Sequence, residues 1–227
     1  MPGASSKGRT VEFAAGAAKA KGFLAAPAGV VVLQEWWGLV PHIEDVVGRF
    51  ARAGYLALAP DLYHGKKTLE AAEAQHLMQG LDWGRAVEEI GGAIAHLRGQ
   101  GCARVGVVGF CMGGALSLLA NAQAGADAAV AFYGFPPPPA SSPGGPLGKR
   151  CPPALVLFGE EEGFFDVPAA QAWAAQQRAQ GVADTEVVIY RGAGHAFFND
   201  TRPDVFRPAD AADAWQRTLR HFERHLR

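Results

Sequence analysis

The chain has 227 residues, 49% of them hydrophobic, with 21 Lys and Arg against 22 Asp and Glu and a formal net charge of -1. That length suits one domain over residues 1–227 with a large core, and the apolar content excludes a disordered chain. A nearly balanced charge with no basic block excludes nucleic acid and membrane surface as principal partners.

In chain order, Thr10–Phe13 and Ala18–Leu24 read as two short strands, a hairpin at the edge of a sheet. Gly29 to Gln34 is a continuous apolar run, as a central parallel strand requires. Pro41 opens a helix to about Ala53, with Gly54 placed to end it. Tyr55 to Asp61 is the next strand, and residues 62–67 form a loop. Thr68 can cap a helix carrying Glu70, and a further helix runs from Leu81 or Asp82 to about Leu97. Arg104 to Val108 is a β-branched strand followed by a helix over Ala115–Ala120. Ala128–Tyr133 is a strand. Residues 135–153, rich in Pro, Gly and Ser, form a loop long enough to rim a site. Strand Ala154–Phe158, helix Val167–Gln180, strand Thr185–Tyr190 and helix Pro208–Leu226 complete the chain. Alternating strands and helices specify an α/β fold with a mostly parallel sheet between two helical layers.

The three cysteines, Cys102, Cys111 and Cys151, form no C-x-x-C pair, so neither a disulfide framework nor a zinc site is expected. No run approaches a membrane span, and the first residues lack the apolar segment of a secretion signal. The expectation is a soluble cytoplasmic protein without a metal.

The most informative stretch is Val105-Gly-Val-Val-Gly-Phe-Cys111-Met-Gly-Gly-Ala115. Gly109 and Gly113 stand two residues either side of Cys111. That spacing allows a sharp strand-to-helix turn, the nucleophile elbow of α/β-hydrolases with Cys in the Ser position. A thiol there meets the N-terminus of a helix, which favours the thiolate. The Met112 N–H would face a developing oxyanion, and Trp36 could supply a second donor. The competing reading is an inert core thiol.

Ligands of such sheets bind beyond the carboxyl ends of the strands. There the chain places Glu35-Trp36-Trp37, Asp61 to His64, Cys111, the acids Glu160, Glu161, Glu162 and Asp166, and His195 on a Gly-rich loop. Nucleophile, acid, histidine is the α/β-hydrolase order. His195 would act as general base, oriented by one of the four acids. Glu35 is an acid at the end of a buried strand, either a structural partner or a further member of the site. His64 lies on a loop at this edge with no evident partner. His42, His76, His96, His221 and His225 read as exposed helix-face residues.

These residues resemble the dienelactone hydrolase family over roughly residues 20–226. The resemblance rests on Gln34-Glu-Trp-Trp-Gly38, Ala59-Pro-Asp-Leu-Tyr63, the Cys111 elbow, and Gly192-Ala-Gly-His-Ala-Phe-Phe198. It implies a Cys-His-Asp triad without a cofactor and hydrolysis of lactone or ester bonds, of the carboxymethylenebutenolidase type. It also implies that Glu35 hydrogen-bonds the resting thiol until substrate displaces it. The family's triad Asp corresponds to the third place after Gly159, which Glu162 holds; Asp166 is the alternative. Members acting on muconate-type dienelactones hold the substrate carboxylate with arginines, one a few residues beyond the His. Here Asn199 stands in that place, and Arg202, Lys66 and Lys67 are the nearest cations.

The expected protein is a thiol hydrolase of small ester or lactone substrates, a monomer or homodimer. Trp36, Trp37, Tyr63, Phe197 and Phe198 would line an apolar pocket, with Arg202 able to read a carboxylate. The rival readings are a thiol redox sensor or ligand-binding pseudoenzyme and an interaction protein of the same fold.

Overall fold

The computed structural model describes residues 9–15, 18–24, 27–142 and 144–227. Strands β1 (Arg9–Ala15) and β2 (Ala18–Leu24) pair antiparallel as a two-stranded sheet of their own. The expected hairpin therefore exists, but it does not extend the main sheet. The nearest edge strand in sequence, β4 (Leu56–Leu58), has three residues and offers little backbone to pair with.

The main sheet adds β3 (Gly29–Leu33), β5 (Val105–Phe110), β6 (Ala128–Phe132), β7 (Ala154–Glu161) and β8 (Glu186–Gly194). Its order is β4-β3-β5-β6-β7-β8, and every pair is parallel. Parallel neighbours need long crossovers, and helices supply them. Residues of β3, β5 and β6 are buried throughout, which is why they read as unbroken apolar runs.

Alternate side chains of each strand feed opposite layers. Val30, Val32 and Val108 pack with Ile43, Val46 and Phe50 of α1 (Pro41–Arg52) and with Ala214 and Phe222 of α6 (Pro208–Leu226). Val31, Leu33, Val105 and Val107 pack with Ile90, Ile94 and Leu97 of α3 (Trp83–Gly99) and with Leu116 of α4 (Met112–Gln123). The result is a three-layer α/β/α sandwich. Helices α2 (Ala71–Gln79) and α5 (Val167–Ala179) complete it.

The capping chemistry explains several element starts. Asp82 accepts from Arg85 N at 3.1 Å to begin α3. Asp166 accepts from Ala169 N at 2.8 Å to begin α5. Each cap satisfies an amide that the first helical turn leaves open. Thr68 bonds Glu70 N instead of an amide of α2, so the expected cap there is a local turn.

Three helix histidines depart from the exposed-face expectation. His42 is 3% exposed, with Nδ1 3.2 Å from Asp200, because its stripe of α1 faces the core. His221 and His225 meet at a tilt with ring centres 4.7 Å apart, each leaving Nε2 buried without a hydrogen bond. Burial, then the neighbouring His225, holds the His221 imidazole down at about 4. An unfolded histidine takes its proton near 6.5. The unfolded state therefore gains a proton first, and falling pH destabilises the fold between about 6.5 and 4. We expect His221→Gln to shrink the loss of urea midpoint between pH 7 and pH 5. An unchanged loss would assign that pH dependence to other groups.

Candidate active site

The site is built on a turn that leaves no room for side chains on either flank. Strand β5 ends at Phe110, α4 begins at Met112, and Cys111 between them has a φ of +56°. A non-glycine residue adopts that conformation only when its surroundings force it. Here the force is backbone-to-backbone packing. A Cβ at Gly109 would fall on the carbonyl of Gly113, and one at Gly134 on the carbonyl of Cys111. A Cβ at Gly113 would lie 2.7 Å from the carbonyl oxygen of Leu33, at the end of β3.

That last contact brings β3's extension, Glu35-Trp36, beside the thiol. The backbone N–H groups of Met112 and Trp36 lie close enough to the Cys111 sulfur to favour its charged form. Cys111 itself is 9% exposed. Burial raises its thiol most, the charge of Glu35 adds to this, and the two N–H groups and Glu162 act in smaller measure. The net effect pushes it up to about 12. Burial and Glu35 thus outweigh the pull of the helix N-terminus toward the thiolate.

The four acids after β7 have separate jobs. Glu160 Oε2 accepts from Gly192 N at 2.9 Å and ties β7 to β8. Glu161 faces the cavity. Glu162 Oε2 lies 2.8 Å from His195 Nδ1, and its other oxygen accepts from Phe164 N at 2.8 Å. Asp166 is spent on the cap of α5, so it does not orient His195. A register irregularity between Gly159 and Glu161 lets β7 run on through Glu161 and leaves Glu162 as the first residue beyond it. The side chain of Glu162 is fully buried, so its bond to His195 is shielded from water. The Gly-rich stretch before His195 is likewise not a loop. It continues β8 to Gly194.

Glu35 is 2% exposed, and both its oxygens are occupied. Tyr133 Oη donates to Oε1 at 3.2 Å, and Asn199 Nδ2 donates to Oε2 at 2.8 Å. The carboxylate is therefore held by these two residues and not by the thiol, contrary to what the resemblance implies. Tyr133 and Asn199 were not foreseen as partners. Tyr133 had a positional signal, since it follows β6 at the same sheet edge as Cys111. Asn199 belongs to a turn that ties it to Thr201, and nothing in the sequence points it at Glu35.

A cavity of about 850 Å³ joins these groups. Glu35, Trp36, Trp37, Cys111, Met112, Asp166, His195 and Arg202 line it, together with Glu161. Phe135 to Pro138 and Ser141 form one wall, as the length of that loop suggested. Trp83, Met78, Phe164 and Phe165 also contribute, and sequence reasoning missed all four. Three expected pocket residues belong elsewhere. Phe197 and Phe198 are core residues, 0% and 1% exposed, packed on Tyr190 and on Phe110 and Phe132. Tyr63 is buried with its hydroxyl on Met112 Sδ at 3.3 Å. Their position near His195 and the elbow supports the site without lining it. Lys66 and Lys67 are not among the cavity-lining residues, and His64 pairs with Glu89 at 3.4 Å. Phe164, Phe165 and Tyr133 surround the His195 ring at centre distances of 4.8, 5.9 and 5.0 Å.

Glu35→Gln removes a buried negative charge from beside the sulfur. The thiolate then forms at lower pH, so iodoacetamide alkylation of Cys111 at pH 8 should quicken by about tenfold. One substitution elsewhere tests the frame. Gly113→Ala forces β3 and α4 apart and should cost about 3 kcal/mol in urea unfolding. A slower E35Q alkylation, or a silent Gly113→Ala, would contradict these assignments.

Residues 13–226 match the dienelactone hydrolase family. The chain is 33% identical to protein usf of Aquifex pyrophilus, over 96% of this chain and 99% of the relative. It is 30% identical to an Aquifex aeolicus (strain VF5) protein provisionally named a carboxymethylenebutenolidase, over 97% and 100% of the two chains. A Klebsiella pneumoniae crystal structure provisionally described as a dienelactone hydrolase superposes with a TM-score of 0.75 at 25% identity, covering 95% and 98% of the two chains. With the α/β-hydrolase sheet order in place and the match spanning nearly all of its length, this chain belongs to the dienelactone hydrolase family, an ester- and lactone-hydrolase family.

Proposed function

We propose that the protein hydrolyses a small ester or lactone through a covalent acyl-thiol intermediate on Cys111. The observation that carries this reading is the convergence on one sulfur of two backbone N–H groups, those of Met112 and Trp36, in a cavity shared with His195.

The chemistry follows from the resting state. Because the thiol is neutral, its deprotonation is coupled to attack: His195 takes the Cys111 proton as the C–S bond forms. The carbonyl oxygen becomes an oxyanion and takes over the N–H groups of Met112 and Trp36. His195, now an imidazolium stabilised by Glu162, returns the proton to the departing alkoxide as the C–O bond breaks. Water activated by His195 then cleaves the thioester, releasing the acid and restoring the thiol. The residues need no metal or organic cofactor for these steps. Three free thiols accord with a reducing compartment, and we assign the protein to the cytoplasm.

The redox-sensor reading is not favoured. Sensor cysteines are exposed and held low in pKa. Cys111 is buried and held high.

With p-nitrophenyl acetate as substrate, Cys111→Ala and Glu162→Ala should each lower kcat by about 10²–10⁴-fold. Asp166→Asn, which keeps a helix-capping side chain, should fall by far less. Equal losses in the Glu162 and Asp166 variants would reject Glu162 as the orienting acid.

A further inference from the structure

The cavity's charge and surface point to a substrate class. Six aromatic side chains line it: Trp36, Trp37, Trp83, Phe135, Phe164 and Phe165. Among the described residues its carboxylates are Glu35, Glu161 and Asp166, against a single fixed cation, Arg202. That cation is already paired with Asp204 at 3.1 Å and lies 6.0 Å from the centre of the Trp37 ring. Glu35 is held by the neutral donors Tyr133 and Asn199, so its charge is not cancelled by a cation within hydrogen-bond reach. An anionic substrate would enter against this excess of negative charge and find its one guanidinium engaged.

The outer rim is apolar as well. Among the described residues, two side chains stand out as large hydrophobics left mostly in water: Leu69, 82% exposed, and Phe164, 74% exposed. Phe164 belongs to the cavity's edge, and Leu69 is a chain neighbour of residues there. Phe164 lines it and packs on the His195 ring. Leu69 lies between Thr68, whose N–H bonds the carbonyl of Trp37 at 3.0 Å, and Ala71, which lines the cavity. Exposed apolar side chains beside a cavity of about 850 Å³ gain from being covered by a ligand.

We infer that this protein takes neutral esters with a bulky apolar acyl or aryl group, seated on the aromatic wall and covering Phe164, and that it discriminates against esters carrying a carboxylate. The inference rests on the hydrolase reading of the same site. It departs from the carboxylate-bearing lactones that the family resemblance suggests.

The test uses two esters with one leaving group and one chain length, p-nitrophenyl hexanoate and the p-nitrophenyl monoester of adipic acid. Only the terminal group differs, a methyl in one and a carboxylate in the other. We expect wild type to favour the hexanoate by about tenfold or more in kcat/KM, with the preference shrinking in high salt. Phe164→Ala should lower kcat/KM for the hexanoate by about tenfold more than for p-nitrophenyl acetate. Binding is read separately, by quenching of tryptophan fluorescence in Cys111→Ala. Quenching by the hexanoate and not the adipate ester supports the substrate class even if turnover does not depend on Cys111, an outcome that would sink only the acyl-thiol mechanism. Equal or better use of the adipate ester, or a Phe164→Ala variant that loses activity equally on hexanoate and acetate, overturns the inference while leaving that mechanism standing.

Discussion

The site depends on one steric constraint: there is no space for a side chain where β5, α4 and the end of β3 meet. Gly109, Gly113 and Gly134 let three backbones touch, and their contact holds Cys111 in a conformation it would otherwise avoid. The same contact determines the partners of the sulfur. Gly113 rests on the carbonyls of Leu33 and Gln34, so the residues that follow, Glu35 and Trp36, arrive beside the thiol. Thiol, amide donors and buried acid are thus one packing solution. Disturbing the glycines would move all of them together.

Within that frame the electrostatics are opposed by design of position. Two amides and a helix N-terminus favour negative charge on the sulfur. Burial and Glu35 disfavour it, and they win. The balance suits a hydrolase whose nucleophile should stay inert until a carbonyl is present. In the proposed mechanism an oxyanion forming in the same place takes over the two N–H groups, so the donors would serve charge that appears only during reaction. Tyr133 and Asn199 keep Glu35 in place with neutral hydrogen bonds, and burial, then Glu35, in turn holds the Tyr133 hydroxyl well above its usual range. This arrangement gives Glu35 a tonic influence on the thiol without a direct hydrogen bond to it.

Much of this was legible before any coordinates. Buried parallel strands announce themselves as unbroken apolar runs, and glycine spacing marks the elbow, so Cys111, Glu35 and His195 could be placed at one sheet edge from order alone. What failed was anything decided by side-chain direction. Glu162 and Asp166 are four positions apart, and only the irregularity between β7 and β8 tells which one meets His195 and which one caps α5. Phe197 and Phe198 follow His195 in sequence but turn into the core, since a loop has no period from which facing can be read. His42 hid for a related reason: it lies at the edge of the buried stripe of α1, with Val46 on one side and Arg49 on the other, and a histidine at such an edge reads as surface. The link between Asn199 and Glu35 spans 164 positions and leaves no local trace.

Family membership and sheet topology establish what kind of enzyme this is, and the acyl-thiol intermediate on Cys111 is the central proposal about how it works. The direct measurement is mass spectrometry of protein quenched in acid during turnover of p-nitrophenyl acetate, followed by peptide mapping. One acetyl group on the peptide containing Cys111, absent once substrate is exhausted, is the predicted result. Turnover with that peptide unmodified, or with the acetyl group on another residue, would contradict the account.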